Sequence, residues 1–110
     1  MKRGEVWTVA GGPDYAGKPR PAVILQGDAF DATASMTICP FTTHRVSAPL
    51  LRVAIEASPR NGLRTASQLM IDKITTVSRA KLESRIGQLS DEDIVRLNRA
   101  VLVFLGLAGQ

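Results

Sequence analysis

The feature that most constrains the fold is a succession of short strand-like segments, each followed closely by turn-forming residues. The segment EVWTVA (5–10) leads into Gly11-Gly12-Pro13, and LLRVAIEA (50–57) leads into SPRNG (58–62), which carries proline and an Asn-Gly pair. Further strands are expected at 20–27, 35–43, 67–71 and 73–77. Many short strands joined by short turns predict a closed or nearly closed small β-barrel.

Two of these segments indicate how the strands are packed. The run RPAVIL (20–25) is almost continuously apolar, which suits a strand that is buried on both faces. The segment 51–56 instead alternates, with Leu51, Val53 and Ile55 expected in the core and Arg52, Ala54 and Glu56 expected in water.

The C-terminal part changes character. A helical turn capped by Ser78 is expected first, and then a short strand near 85–89. A helix follows, with Ser90 as its N-cap and the acidic residues 91–93 in its first turn, where the helix dipole favours anions. Its buried stripe is predicted to comprise Ile94, Leu97, Val101, Phe104 and Leu105, and Gly106 is expected to end it. The sequence therefore predicts a mainly β fold of about five to seven strands with one C-terminal helix.

The length and charge set limits on the kind of protein. The 110 residues fit one domain, spanning 1–110. The net charge is +4, and ten of the fourteen basic residues are arginine, whose planar fork suits phosphate better than the point charge of lysine. Charge alone leaves nucleic acid, an acidic protein and a merely solvated basic surface as alternatives.

Residue counts exclude several kinds of site. One histidine and one cysteine cannot form a zinc set, and no phosphate-binding or dinucleotide-binding loop is present, so neither a metal nor a cofactor is expected. The single Cys39 cannot form a disulfide within the chain, which fits a reducing, cytoplasmic location, and it is expected to be a small core residue. The N-terminus lacks the apolar region of a signal peptide, and the longest apolar run is too short to span a membrane.

Arg20 lies in the unusual frame KPRPAVIL. Pro19 and Pro21 fix their own φ angles and bias Lys18 and Arg20 towards extended backbone, so the arginine is pre-organised. Taken alone, this is typical of an edge strand that is protected from aggregation by a charge and two prolines.

Three further positions are candidates for a site. Thr42 ends a strand, where its hydroxyl either satisfies a turn or donates to a phosphate oxygen. Asp72 lies between two apolar runs, is expected to be half-buried, and needs an arginine or backbone N–H partner. His44 is a candidate base, although a lone histidine at a strand end is more often a surface residue, and no Gly-x-Ser-x-Gly elbow accompanies it.

The order of the motifs points to a known family. The segments KRGEVWTV, RPAVIL, CPFTT, NGL, SQLMIDKITTVSRAKL and IGQLSDEDIVRLNRAV follow one another in the order and spacing of the MazF/PemK toxins, and the resemblance extends from Lys2 to about Leu105. It implies an SH3-like barrel with a C-terminal helix, as in the CcdB toxin. It also implies a homodimeric, metal-independent endoribonuclease that cuts single-stranded RNA at short sequences and is neutralised by an acidic, MazE-like antitoxin.

The resemblance also implies roles for individual residues. Arg20 matches the arginine of the family's RP motif, Thr42 matches the threonine at the end of the third strand, and Asp72 matches an aspartate that is catalytic in the PemK branch. Two positions depart from the pattern: Met70 stands where the PemK branch has an arginine, and Lys73 stands where glutamine is usual.

The implied mechanism is attack of a 2′-OH on the adjacent phosphate, which gives 2′,3′-cyclic phosphate and 5′-OH ends. Arg20 would stabilise the transition-state charge, Thr42 would donate a hydrogen bond, and Asp14 or His44 would act as the base. The residues expected to contact RNA are Lys18, Arg45, Arg60 and Arg64, with Tyr15 as a stacking platform. Two alternatives remain open: a gyrase poison like CcdB, and a binding module without activity.

Overall fold

The computed structural model describes residues 1–11 and 18–108, and within these ranges the chain forms seven strands and one α-helix. The strands are β1 (Glu5–Val9), β2 (Arg20–Ile24), β3 (Ser35–Thr42), β4 (Arg52–Ile55), β5 (Ser67–Met70), β6 (Thr75–Ser78) and β7 (Leu82–Gln88), and the helix is α1 (Asp91–Phe104). Short 3-10 turns occupy Asp28–Phe30, Ile71–Lys73 and Arg79–Lys81. The predicted mainly β fold with a C-terminal helix is confirmed.

The strands form one antiparallel sheet in the order β4-β5-β3-β2-β1-β7, with β6 also paired to β3. One edge of β3 pairs with β2. The other edge is shared, because residues 35–38 pair with β6 and residues 41–42 pair with β5. The turn Ile71–Lys73 carries the chain from β5 to β6 along this shared edge.

Burial on both faces, predicted for β2, is confirmed. Val23 belongs to a core cluster with Cys39 and Phe41, whereas Ala22 and Ile24 belong to a second cluster on the opposite face. The alternation predicted for β4 holds from Val53 to Glu56, where Val53 and Ile55 are buried and Ala54 and Glu56 are exposed. It is wrong for Arg52, which was expected in water but has a side chain only 13% exposed because it pairs with Asp72, and Leu51 is only half-buried. Such burial removes most of the apolar surface of the central strands from water.

Helix α1 closes the first core cluster. The Ser90 hydroxyl accepts a hydrogen bond from the backbone N–H of Asp93 at 3.1 Å, as a capping serine should. Leu97 is fully buried, but the prediction that Phe104 and Leu105 are buried is wrong, because they are 43% and 56% exposed. Within the last turn Val101 packs against the first core cluster, whereas Leu102, Val103 and Phe104 are each more than 40% exposed. No helix in the described ranges is long and apolar enough to cross a membrane.

The region before α1 differs from its prediction. A turn does follow Ser78, but the Ser78 side chain makes no capping hydrogen bond. Strand β7 begins at Leu82, earlier than expected, and pairs with β1 along its length. Its first residues, Glu83 to Arg85, are exposed and polar on an outer strand, so they lack the apolar alternation that marks a strand in sequence.

The predicted Asn-Gly turn is tightly built against β7. The Asn61 side chain is buried; its Oδ1 accepts hydrogen bonds from the N–H groups of Ser58 and Leu63, each at 3.0 Å, and its Nδ2 donates to the Glu56 carbonyl at 2.8 Å. Gly62 has φ +73°, and a Cβ added there would lie 2.1 Å from the carbonyl oxygen of Ile86.

We expect Gly62→Ala to destabilise the protein strongly. The left-handed backbone alone costs about 1–2 kcal/mol for an alanine, and the contact with the Ile86 carbonyl adds to this cost. The matched control is Gly106→Ala, because Gly106 also has φ +73° but has nothing within 4 Å of an added Cβ. Urea unfolding of both variants would measure the difference, and equal losses would contradict the close contact with β7.

Candidate active site at the open end of strands β2 and β3

Two predicted catalytic residues lie where β2 and β3 separate. The pairing between these strands ends at Ala22 and Pro40, although β2 continues to Arg20 beside β1 and β3 continues to Thr42 beside β5. Pro21 and Pro40 have no N–H to donate, which fits the end of the ladder at this point. Continuing the register by two residues makes Arg20 and Thr42 the facing pair across the opening.

The Arg20 backbone is fixed by its neighbours in sequence and in the sheet. Arg20 is the first residue of β2, pairs with Val9 of β1, and has an exposed side chain. With Pro19 and Pro21 on either side, the strand end has little backbone freedom. The arginine is thus an exposed residue held on a defined strand end.

The Thr42 hydroxyl organises the segment that follows β3. Its Oγ1 accepts a hydrogen bond from the backbone N–H of His44 at 3.1 Å. Because the hydroxyl oxygen serves as an acceptor here, its own proton is free to be donated to another group. His44 is exposed and lies two residues beyond Thr42, so it is on the same end of the sheet as Arg20.

Gln68 of β5 anchors the same segment further along. Gln68 pairs with Thr42 on one side and with Ala54 of β4 on the other. Its Nε2 donates to the Val46 carbonyl at 3.1 Å, and its Oε1 accepts from the Val46 N–H at 3.3 Å. The sequence analysis missed this residue, although a glutamine within the apolar segment SQLMI is a signal that a strand residue has a polar partner.

Two of the predicted RNA-contacting cations share this end of the sheet. Lys18 lies two residues before β2, and Arg45 follows His44; both are exposed. Together with Arg20 they concentrate positive charge around the opening. The candidate base Asp14 and the candidate stacking residue Tyr15 lie outside the described residues.

Of the other two predicted cations, Arg60 lies at the opposite end of the sheet, and Arg64 lies just before β5, whose Gln68 pairs with Thr42. The Arg60 carbonyl accepts a hydrogen bond from the N–H of Gln88, which pairs with Glu5, so Arg60 is beside the end of β1 opposite to Val9 and Arg20. Its guanidinium makes an exposed ion pair with Asp91 at 3.9 Å. Arg64 is exposed on the segment that enters β5.

Asp72 lies in the turn between β5 and β6 and forms an ion pair with Arg52 of β4. Arg52 is the cross-strand partner of Met70, the position at which the sequence analysis noted a missing arginine. The expected arginine partner for Asp72 is therefore present, but it comes from the neighbouring strand. Asp72 is an exposed residue, not half-buried as predicted, and only its side chain, at 27% exposure, is partly covered by the pair. Asp72 is four residues beyond Gln68 along the chain, so the fold does not bring it to the end that carries Thr42.

Cys39 is a core residue, as predicted. It is fully buried, and burial raises the pKa of its thiol to about 12, with the nearby Asp72 carboxylate adding to the rise. A thiol that stays protonated at neutral pH is a poor nucleophile. Over residues 1–11 and 18–108, no group of three or more His, Cys, Asp or Glu side chains is placed to hold a metal ion.

A groove of about 440 Å³ runs between α1 and β4. Its walls combine apolar side chains with three arginines. The lining residues include Leu50, Val103, Arg52, Arg96 and Arg99. Arg96 also donates to the Ala54 carbonyl at 2.7 Å, which ties the helix to the outer edge of β4.

Comparison with known proteins identifies relatives along nearly the whole chain. Residues 2–105 match the family described as the PemK-like, MazF-like toxin of type II toxin-antitoxin system. The probable endoribonuclease MazF of Mycolicibacterium smegmatis is 57% identical over 109 residues, which cover 99% of this chain and 100% of that protein. Endoribonuclease MazF9 of Mycobacterium tuberculosis is 28% identical, with 97% of this chain and 98% of that protein covered.

A solved structure extends the likeness to three dimensions. An endoribonuclease from a mycobacterial species, solved in complex with its cognate antitoxin, superposes with a TM-score of 0.81 at 25% identity. The superposition covers 97% of this chain and 96% of that one. The predicted MazF-like fold is thereby confirmed.

We expect Arg52→Met to lower the free energy of unfolding by about 1–3 kcal/mol, because it removes the charged hydrogen-bond partner of the Asp72 carboxylate, whose side chain is 27% exposed. Arg60→Met is the control, since its ion pair with Asp91 is long and exposed and should contribute less than about 0.5 kcal/mol. Urea unfolding at neutral pH compares the two, and equal effects would contradict a stabilising role for the Arg52–Asp72 pair.

Cys39 is expected to resist alkylation by iodoacetamide at pH 8 in the folded protein and to react quickly in urea. The raised pKa leaves almost no thiolate at that pH, and the fold shields the sulfur. Mass spectrometry of the labelled chain gives the rate, and rapid labelling without urea would show that the residue is accessible.

Proposed function

The chain belongs to the PemK-like, MazF-like toxin family of type II toxin–antitoxin systems, and we propose that it is a toxin that cleaves single-stranded RNA at a short sequence. Its homologues are endoribonucleases of the MazF type. The observation that supports the proposal is the β2–β3 register, which ends at Ala22 and Pro40 and, continued by two residues, sets Arg20 opposite Thr42.

The proposed reaction is attack of a ribose 2′-OH on the adjacent phosphorus, with release of the 5′-oxygen of the next nucleotide. The products are a 2′,3′-cyclic phosphate and a 5′-OH end, and no metal ion is required. The Arg20 guanidinium stabilises the additional negative charge on the phosphate oxygens in the transition state. The Thr42 hydroxyl donates to one of these oxygens, since its own oxygen already accepts from His44.

For the base that takes the 2′-OH proton, we propose His44 or Asp14. His44 is supported by its position two residues from Thr42 and by its exposure at the same end of the sheet. Asp14 is supported by the family resemblance alone. For Asp72 we propose a structural role through its ion pair with Arg52 in place of the catalytic role that the resemblance implies.

Single-stranded RNA is proposed to cross the opening along the exposed cations around it. Lys18 and Arg45, both exposed, are proposed to contact phosphates on either side of the scissile one, and Tyr15 is proposed to stack on a base. Arg60 lies beside the opposite end of β1, so it is not expected to act with Arg20 in the same protomer, whereas Arg64 precedes Gln68, the partner of Thr42, by four residues. Both remain proposed RNA contacts, Arg60 for a more distant part of the RNA.

We also propose a homodimer. The last turn of α1 exposes several large apolar side chains, which is more apolar surface than a helix end usually leaves in water. These residues are Leu102, Val103, Phe104 and Leu105. A second copy of the chain is the proposed cover.

An acidic antitoxin is the proposed protein partner. The mycobacterial relative was solved with its cognate antitoxin, and this chain carries a net charge of +4. The groove between α1 and β4, with its three arginines and its apolar walls, has the character that an acidic amphipathic segment would need. The relatives' endoribonuclease activity argues against the other two functions considered, a gyrase poison and an inactive binding module.

We expect Arg20→Ala to lower the RNA-cleavage rate by about 10²–10³-fold while the protein remains folded, because it removes the donor to the developing charge. Cleavage of a structure-free RNA in EDTA, with detection of the cyclic phosphate, is the assay. Arg20→Lys should recover little activity because lysine lacks the planar fork, and Arg99→Ala on α1 is the control that should cleave normally. Undiminished cleavage by Arg20→Ala would refute the assignment.

A further inference from the structure

We propose that Gln68 is a positioning residue for RNA cleavage, which holds the segment Thr43–Val46 in place beside Thr42. The inference rests on the proposed function and adds a residue that does not itself contact RNA. Gln68 lies in β5 between Thr42 of β3 and Ala54 of β4, directly next to the proposed reaction site.

The contact between Gln68 and the segment has two points. The side-chain amide donates from Nε2 to the Val46 carbonyl at 3.1 Å and accepts at Oε1 from the Val46 N–H at 3.3 Å. Both the donor and the acceptor of one peptide residue are therefore satisfied by one side chain, as a neighbouring strand would do. Because the two bonds are made together, they fix the orientation of Val46 as well as its position.

The other end of the segment is held by Thr42. Its hydroxyl accepts from the His44 N–H at 3.1 Å, so the short stretch from Thr42 to Val46 is tied down at both ends. His44 and Arg45 lie between these ties, and both side chains are exposed. They are the proposed base and a proposed phosphate contact, and both must approach the RNA in a fixed geometry.

The contact between Gln68 and Val46 fixes the orientation of the segment Thr43–Val46 and buries little of its surface. Thr43, His44 and Arg45 are all exposed, and only Val46 is partly buried, so little apolar surface depends on the position of this stretch. The two partly buried hydrogen bonds that Gln68 makes to Val46 therefore mainly restrict the conformations of this segment. Restriction of this kind lowers a reaction barrier, since a displacement of about 1 Å in a reacting group can cost about 10²-fold in rate.

The chain offers a matched control at the opposite end of β2. Gln26 also fixes a loop through its side-chain amide, because its Nε2 donates to the Phe30 carbonyl at 2.6 Å and its Oε1 accepts from the Thr37 N–H at 3.1 Å. Its Nε2 also donates to Thr33 Oγ1 at 2.7 Å. Gln26→Leu therefore removes at least as many side-chain hydrogen bonds as Gln68→Leu, but at a place remote from Arg20 and Thr42. Its effect on stability should resemble that of Gln68→Leu.

The first test compares the kinetics of these two variants with those of the wild type, on the same RNA and well below the unfolding temperature. Gln68→Leu is expected to lower kcat by about 10–100-fold and to raise KM much less, because a misplaced segment loses transition-state geometry more than binding. Gln26→Leu should leave both constants unchanged. Wild-type kcat and KM in Gln68→Leu, or an equal loss of kcat in Gln26→Leu, would overturn the inference.

The second test uses Gln68→Glu, which has nearly the same shape. Ionised, the carboxylate can accept from the Val46 N–H but faces the Val46 carbonyl with a second acceptor. Protonated, it donates to that carbonyl and reproduces both bonds of the amide. The ratio of Gln68→Glu to wild-type kcat should therefore rise as the pH falls towards the carboxyl pKa, about 4–5, whereas the ratio for Gln68→Leu stays flat. A flat ratio for Gln68→Glu would contradict the two-point contact.

The cleavage assays distinguish failure of the proposed function from failure of the proposed role of Gln68. If the wild type and Arg20→Ala cleave RNA equally, or neither cleaves it, the proposed reaction site is wrong and the role of Gln68 is wrong with it. If the wild type cleaves and Arg20→Ala does not, while Gln68→Leu remains fully active, only the role of Gln68 is refuted.

Discussion

The structure depends on one buried strand, β3, whose two edges serve three partners. Backbone N–H and C=O groups in a buried strand must have hydrogen-bond partners. Because β5 pairs with β3 only at residues 41–42, β6 pairs with residues 35–38 of the same edge. The chain makes that transfer in the turn Ile71–Lys73, and Asp72 is held there by Arg52. The ion pair therefore stabilises the turn at which the partner of this β3 edge changes from β5 to β6.

The same strand separates the packed part of the molecule from its polar end. Up to Ala22 and Pro40, β2 and β3 are paired and buried on both faces, and beyond that point each follows its outer neighbour. The prolines allow this separation without leaving N–H donors unsatisfied. Charged and hydroxyl side chains can then stand at the opening, on strand ends that the core keeps rigid. The proposed reaction site thus consists of polar and charged side chains that lie outside the apolar core.

The sequence predicted the parts of this arrangement that are local. The two-sided burial of β2, the Ser90 cap and the alternation from Val53 to Glu56 each depend on neighbouring residues, and these were correct. The pairing of Arg52 with Asp72 was not predictable, because the irregular connection 56–66 leaves the register of β4 against β5 undefined. The contact of Gln68 with Val46 was hidden for the same reason. The exposure of Phe104 was missed because helical spacing says nothing about where the sheet beneath the helix ends.

The turn at Asn61 and Gly62 has a consequence for the chemical lifetime of the protein. An asparagine followed by glycine is prone to spontaneous deamidation, in which the next backbone nitrogen attacks the side-chain amide and closes a succinimide ring. Here that nitrogen donates to the Ser58 carbonyl at 3.0 Å, and the Asn61 amide is committed to three backbone partners. Ring closure would require these bonds to break. The fold that requires glycine at position 62 therefore also slows the deamidation of Asn61.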